Sequence, residues 1–216
     1  MDSDTSRGLR YYCQGSIIAV ATLIAMVVPI LLLMRIGQEM EHSHRVITPI
    51  VPLLLLLGLA LLMLAGGILS LVGAITLRGS HPDYGKALIA TAAAYLCNLW
   101  GIFLPEWLGR VGETGALAAS LFTGYFMVRA TASLLTAQRD TMDLPADAVD
   151  FFNRLIRRGW LSWKIYLVVG VAQSVNTLMP VRGSLLMIGF LVILLVLELV
   201  AWGMNLSFFM RASRLL

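Results

Sequence analysis

Long uninterrupted apolar runs dominate the hydrophobic pattern of this chain. A helix needs about 20 apolar residues to cross a hydrocarbon core about 30 Å thick. Runs of that length recur along the sequence and predict six membrane-spanning helices. The predicted spans cover residues 16–34, 47–77, 84–104, 115–136, 161–178 and 184–210. The predicted fold class is therefore all-α, a polytopic transmembrane bundle in which residues 1–216 form a single membrane domain.

The longest connection between predicted spans contains an amphipathic segment. Between residues 145 and 158, apolar side chains recur at helical spacing on one face, and charged side chains occupy the rest. This pattern predicts an interfacial helix that lies on the membrane surface and ends at Gly159. Its apolar face consists of Val149, Phe152, Leu155 and Ile156. Two interpretations remain open: a docking or lipid-sensing element, and a plain connector that rests on the bilayer.

Composition agrees with a membrane protein. Hydrophobic residues make up 59% of the chain and charged residues 13%, against about 25% charged in soluble domains. The net charge of +4 comes from basic residues in loops, where they orient the protein and meet anionic lipid head groups. We therefore expect membrane lipids as partners, with other membrane subunits or self-association in addition, and no nucleic acid.

The basic residues are distributed unevenly between the two predicted sides of the membrane. Of the 16 Lys and Arg residues, one side holds only Arg35, Arg45, Arg110 and Arg182. Most of the others lie in the segments that share a side with the N- and C-termini. Because cytoplasmic loops are enriched in Lys and Arg, both termini are predicted to be cytoplasmic.

The turn after the second predicted span carries a weak resemblance. Its sequence from His81 to Ala87, with Pro82 and Gly85, marks a turn, and Asp83 is predicted to cap the helix that follows. Together with Gly73 to Leu77 before it, this stretch resembles small prokaryotic membrane proteins. The resemblance implies a prokaryotic cytoplasmic membrane as the location, and it carries no function.

Polar side chains within the predicted spans are the candidate functional residues, because a polar group in lipid is costly. Two of them are charged, Arg129 and Glu198, and they lie equally far into the fourth and sixth spans. An ion pair across the bundle is therefore predicted. In a structural role, the pair pins two helices in register, or Arg129 alone extends to the cytoplasmic surface. In a functional role, Glu198 carries a proton or contacts a cation while Arg129 tunes its pKa. The uncharged candidates are Asn98, Gln173, Asn176 and Asn205.

Small residues recur every four positions in three of the predicted spans. Helices in lipid approach one another closely where side chains are small, so these stripes predict helix contacts, either inside the bundle or with a partner subunit. The three stripes are Gly66, Ser70 and Ala74; Ala90, Ala94 and Asn98; and Ala116, Ser120 and Gly124.

The sequence contains no motif that indicates catalysis or a bound cofactor. Phosphate-binding loops, dinucleotide fingerprints and nucleophile–base sets are all missing from it. The loop that holds Glu39, Glu41, His42 and His44 has metal-binding residue types, but their spacing favours a solvated loop over a metal site. We therefore predict a protein without enzymatic activity, cofactor or metal.

Two functional hypotheses follow from these observations. The leading one is a non-enzymatic multi-pass membrane protein that acts through helix association, as an accessory or scaffold subunit. The alternative is a small transporter or channel with a polar path around Asn98, Arg129, Asn176 and Glu198. A shared water-accessible cavity between these side chains favours transport, and separate contacts favour a structural role.

Overall fold

Helices form the regular secondary structure of the computed structural model, which describes residues 3–43, 49–103, 105–178 and 185–216. The all-α fold class is confirmed. The helices are α1 (Ser3–Ala25), α2 (Val27–Ser43), α3 (Ile50–Leu77), α4 (Pro82–Phe103), α5 (Glu106–Thr141), α6 (Ala146–Leu178) and α7 (Leu185–Leu215).

Helices α1 and α2 are one long helix with a local irregularity at Met26. Pro29 has no N–H, so the carbonyl oxygen of Ala25 loses its helical donor at this point. Hydrogen bonds continue on both sides, from the Met26 N–H to the Thr22 oxygen at 2.9 Å and from the Ile30 N–H to the Met26 oxygen at 3.3 Å. The first predicted span lies inside this longer helix.

Within the described residues, three helices are long and apolar enough to cross a membrane: Asp4–Gln38, Ile50–Leu77 and Gly189–Leu215. Their apolar side chains point outward, as for Leu54 and Leu61 on α3, which are 61% and 59% exposed. Exposed apolar surface on this scale is unfavourable in water and neutral in lipid. The chain is therefore a helical bundle with the features of a membrane protein. Helices α4, α5 and α6 carry more polar residues, so hydropathy alone does not decide whether they cross.

The chain divides into two compact units, of which the smaller is residues 11–73. In this unit α1 and α3 approach closely at two glycines. A Cβ added at Gly66 would lie 2.9 Å from the Gly15 carbonyl oxygen and 3.0 Å from the Ala19 nitrogen. A Cβ added at Gly15 would overlap the backbone and side chain of Ser70. The predicted role of Gly66 and Ser70 in helix contact is thus confirmed.

The larger unit contains residues 1–10 and 74–216, and in it α4 packs antiparallel to α5. The Tyr84 hydroxyl lies 2.8 Å from the Thr131 hydroxyl. Further along α4, the Thr91 and Thr123 hydroxyls are 3.3 Å apart. Residue numbers on α5 fall as those on α4 rise, which fixes the register of this pair.

Helix α6 packs against both α5 and α7. The Trp163 indole donates a hydrogen bond of 3.2 Å to the Leu121 carbonyl oxygen of α5. On the α7 side, a Cβ at Gly159 would lie 2.9 Å from the Phe208 ring. Gly159 therefore acts as a packing position in the middle of α6, where the absent side chain admits an aromatic ring.

The prediction of a separate interfacial helix at residues 145–158 is wrong. Helix α6 runs unbroken from Ala146 to Leu178 and joins this segment to the predicted fifth span. Phe152 and Leu155 are buried, with 5% and 2% exposure, because the predicted apolar face packs on other helices of the unit. Val149 and Ile156 are half-buried.

Nearly all of the fully buried side chains lie at the end of the larger unit that holds both termini. Three hydrogen bonds connect the segments at this end. Thr5 Oγ1 donates to Ser80 Oγ at 2.6 Å, Gln138 Nε2 donates to the Leu215 carbonyl oxygen at 2.6 Å, and Ser6 donates to the Ser213 carbonyl oxygen. The N-terminal turn, the α3–α4 turn, the end of α5 and the C-terminus are therefore close together. The buried side chains here include Leu9, Leu77, Leu135, Leu155, Phe208, Phe209 and Ala212.

The close contact in the smaller unit gives a testable prediction. We expect Gly66→Val to lower the free energy of unfolding by about 1–3 kcal/mol, because the new side chain meets backbone that cannot move aside cheaply. Gly58→Val on the same helix is the matched control, since a Cβ there meets nothing within 4 Å. Thermal unfolding in detergent micelles measures both variants, and equal midpoints would contradict the prediction.

Candidate functional site

Asp83, in the first turn of α4, is the centre of a charged cluster. Its side chain is only 5% exposed, and its two oxygens lie 2.8 Å from Lys86 Nζ and 3.2 Å from Arg129 Nε. Lys86 comes from the next turn of α4, whereas Arg129 comes from α5. The Lys86 and Arg129 side chains are 55% and 51% exposed. A single buried carboxylate thus joins two helices and faces two half-exposed cations, which leaves one positive charge uncompensated.

The cluster lowers the pKa of Asp83 below its ordinary value of 3.8. The hydrogen bond from Lys86 is the largest cause, and burial opposes it by disfavouring the charged form. The positive charges of Lys86 and Arg129 lower the pKa of Asp83 further. Asp83 is therefore an anion at neutral pH, where it forms ion pairs with Lys86 and Arg129.

The cap of α4 is His81, so the prediction that Asp83 caps this helix is wrong. His81 Nδ1 accepts a hydrogen bond of 3.2 Å from the Asp83 backbone N–H, and Pro82 occupies the first helical position, where no N–H is needed. The Asp83 carboxylate is thereby free to turn toward α5.

One aromatic ring lies near each of the two cations. Lys86 Nζ lies 5.7 Å from the centre of the Phe126 ring, and Arg129 Cζ lies 6.0 Å from the centre of the Tyr125 ring. These distances are within the range of cation–π attraction. Tyr125 also contacts Trp160 and Trp163, at ring-centre distances of 5.8 and 5.2 Å. The rings form an aromatic cluster across α5 and α6 beside the charged cluster.

The ion pair predicted between Arg129 and Glu198 is replaced by two separate contacts. Arg129 bonds to Asp83, because the antiparallel register places it level with the first turn of α4. Glu198 Oε2, on α7, accepts a hydrogen bond of 2.8 Å from Gln173 Nε2 on α6. Each charged side chain thus has a polar partner on a helix adjacent to its own.

The remaining polar candidates are also spread over the unit. Asn98 is exposed, and it has no hydrogen-bond partner among the residues that the structure describes. Asn176 is half-buried. Asn205 Oδ1 is buried without a hydrogen-bond partner in the described part of the chain. Of the predicted site residues, only Gln173 and Glu198 are joined by a hydrogen bond.

The acidic and histidine residues after the first predicted span begin within α2. Glu39, Glu41 and His42 belong to the last turns of α2, where the structure describes the backbone and not the side chains, and His44 lies outside the described residues.

Sequence reasoning missed the role of Asp83 and Lys86. Their spacing of three residues on a helix was a visible signal, because side chains at that spacing are neighbours. The link to Arg129 had no such signal, since it depends on the register of two helices that are distant in sequence. The Tyr84–Thr131 hydrogen bond depends on the same register.

No family model, curated protein or solved structure matches the chain. The class is therefore defined by the fold and the site themselves. The protein is an all-helical bundle with helices apolar enough to cross a membrane, and it carries a charged and aromatic cluster at the start of α4.

The depressed pKa of Asp83 predicts a specific loss of stability in acid. Because the folded state holds this pKa below 3.8, the carboxylate stabilises the fold above that pH, and the contribution is lost as pH falls through the folded-state value. We expect Asp83→Asn to cost about 1 kcal/mol at neutral pH and to flatten the stability profile below about pH 4.

Unfolding midpoints measured across pH for the two proteins test this expectation. Glu106→Gln is the matched control, since that carboxylate pairs with Arg110 but is 81% exposed. If the unfolding midpoints of Asp83→Asn and wild type decrease in parallel as the pH falls below about 4, the assigned role of Asp83 is wrong.

Proposed function

We propose that the chain is a six-span membrane protein without enzymatic activity, and that it acts through helix association as an accessory or scaffold subunit. In this proposal α4, α5 and α6 cross the bilayer along with the three more apolar helices. Both termini face the cytoplasm, in keeping with the basic residues near them.

The packing of the larger unit supports this arrangement. The N-terminal turn and the C-terminus lie at the same end, where Ser6 donates a hydrogen bond to the Ser213 carbonyl oxygen. A chain whose ends lie on one side of a membrane crosses it an even number of times. Six spans meet that condition, and three spans do not.

The register of α4 and α5 indicates where the bilayer would end. Arg129 is level with the first turn of α4, so a span shared by both helices ends near this residue. Helix α5 continues to Thr141, about 18 Å further at 1.5 Å per residue. The segment of α6 that begins at Ala146 packs beside this extension, which would place both above the membrane surface. Arg129 is then an interfacial residue, and the costly burial of a lone charge in lipid is avoided.

The observation that carries the association proposal is the position of Asn98. This amide is exposed on α4, beside Tyr95 and Trp100, which are 52% and 70% exposed. It lies about one and a half turns before the end of the helix at Phe103, within the apolar part of the predicted span. An amide that faces lipid lacks hydrogen-bond partners, and transmembrane helices associate through such groups.

The separation of the other polar groups favours association over transport. A polar path through the bundle needs side chains that face one continuous space. Arg129 instead bonds to Asp83 between α4 and α5, and Glu198 bonds to Gln173 between α6 and α7. The half-buried Glu198 carboxylate remains the basis of the alternative, a small transporter that carries protons or cations.

The most direct test of the six-span proposal is whether α5 crosses the membrane, because hydropathy alone does not select this helix. In a background that lacks Cys13 and Cys97, single cysteines replace Glu106 or Asp143, which flank α5 at its two ends. We expect a membrane-impermeant thiol reagent to label Glu106→Cys in intact cells and Asp143→Cys only after permeabilisation. Labelling of both positions in intact cells would exclude the crossing.

The association proposal predicts that Asn98→Leu weakens assembly. We expect the complex that wild type forms in native membranes to shrink toward the single chain, because loss of an interhelical amide bond costs about 1 kcal/mol, or about fivefold in affinity. Native gel electrophoresis in mild detergent measures the size. Leu99→Ala, which changes an exposed apolar neighbour, is the matched control and should leave the size unchanged.

Two outcomes would overturn this proposal. Wild type that is a single chain in native membranes would remove the basis for an associating subunit. Proton flux into vesicles that contain wild type alone, abolished by Glu198→Gln, would favour the transporter alternative.

A further inference from the structure

We propose that Lys86 and Arg129 form a binding site for the phosphate group of an anionic phospholipid in the cytoplasmic leaflet. The inference rests on the proposed membrane arrangement, and it assigns a partner to the charged cluster at the start of α4. The cluster joins two cations to one carboxylate, so a bound lipid phosphate would complete the charge balance.

The geometry of the two cations fits a phosphate ligand. The buried Asp83 carboxylate receives one contact from each, at 2.8 Å from Lys86 and 3.2 Å from Arg129. The contact from Arg129 is made by Nε, which leaves the two terminal nitrogens of the guanidinium as a donor fork. Such a fork matches the oxygens of a phosphate, and the Lys86 ammonium keeps further donors. Because both cations are held by the same anion, little side-chain freedom is lost on binding.

Exposure and neighbouring charge support the same conclusion. About half of each cationic side chain is exposed, whereas Asp83 is 5% exposed. A ligand that approaches from outside therefore meets the cations first. Arg78 is a third exposed basic residue near this turn, since its Cγ lies 3.9 Å from the position of a Cβ at Gly85.

The aromatic cluster indicates that the anion is a lipid and not a free ion. Tyr125, Trp160 and Trp163 contact one another beside Arg129. Aromatic residues of this kind concentrate at the head-group level of membranes. Helix α4 begins at Pro82, so Lys86 lies at the same level as the membrane edge inferred for α5. Cations at that depth lie beside lipid phosphates.

Lipid selectivity in nanodiscs tests the proposal. The full chain is reconstituted into discs of phosphatidylcholine that contain a small fraction of phosphatidylglycerol, and native mass spectrometry measures which lipid stays bound. We expect wild type to retain phosphatidylglycerol selectively. We expect Lys86→Gln with Arg129→Gln to lower the affinity about 25-fold, since each basic residue at a membrane surface contributes about fivefold.

The matched control removes two basic residues from the same side of the protein. Arg154→Gln with Arg157→Gln changes exposed cations on α6 and leaves the cluster intact, so we expect selectivity to persist. Lys86→Gln alone serves if the double variant does not fold, because it preserves the Asp83–Arg129 contact. We expect about a fivefold loss for that single variant.

Three results would overturn the proposal: equal retention of the two lipids by wild type, equal loss in the control and cluster variants, and no loss in a folded Lys86→Gln. Displacement of the lipid by inorganic phosphate at equal concentration would assign the site to a free anion instead. Failure of this inference is distinguishable from failure of the proposed function. If the chain assembles through Asn98 but retains the two lipids equally, only the lipid site is overturned. If the chain retains phosphatidylglycerol selectively but remains a single chain, only the association is overturned.

Discussion

The ion pairs of the buried Asp83 carboxylate are the interactions on which the packing of α4 against α5 depends. The carboxylate bonds to a cation on its own helix and to one on α5, and the Tyr84–Thr131 hydrogen bond lies one residue further along. Together these contacts fix the register of α4 and α5. That register places Arg129 near the first turn of α4. On the other side of α5, the hydrogen bond from Trp163 to Leu121 brings Tyr125 to the level of Trp160 and Trp163. A buried carboxylate that accepts a hydrogen bond from one cation and forms an ion pair with a second has few alternative arrangements, so the register is well determined.

Much of the fold was predictable from the sequence, because the apolar runs are long and lipid admits few backbone conformations other than helices. The positions of α3, α4 and α7 follow the predicted spans closely. The register between helices was not predictable, since it depends on side chains that are far apart in the sequence. Gly159 illustrates the limit. A glycine after an amphipathic segment is typical of a helix end, but here it continues the helix and admits the Phe208 ring.

The candidate site was only partly visible for a related reason. Arg129 and Glu198 were placed at equal depth by counting residues from the ends of apolar runs. Packing, and not apolarity, determines how far α5 extends, and the helix continues well past Arg129 to Thr141. The prediction therefore identified charged residues that need partners but assigned them to each other. The local sequence of Asp83 predicts a capping residue, because nothing in it indicates that α5 passes beside this position.

The location of the N-terminal segment has a consequence for biosynthesis. Residues 1–10 belong to the same compact unit as residues 74–216, and Ser6 bonds to Ser213, 207 positions later in the chain. Contacts between the two ends of a chain form only after the intervening segments are in place. During synthesis, the contact between Ser6 and Ser213 can therefore form only after α7 has left the ribosome. The packing around the first turn of α1 is thus completed by a helix that is made much later, so assembly of this unit depends on synthesis of α7.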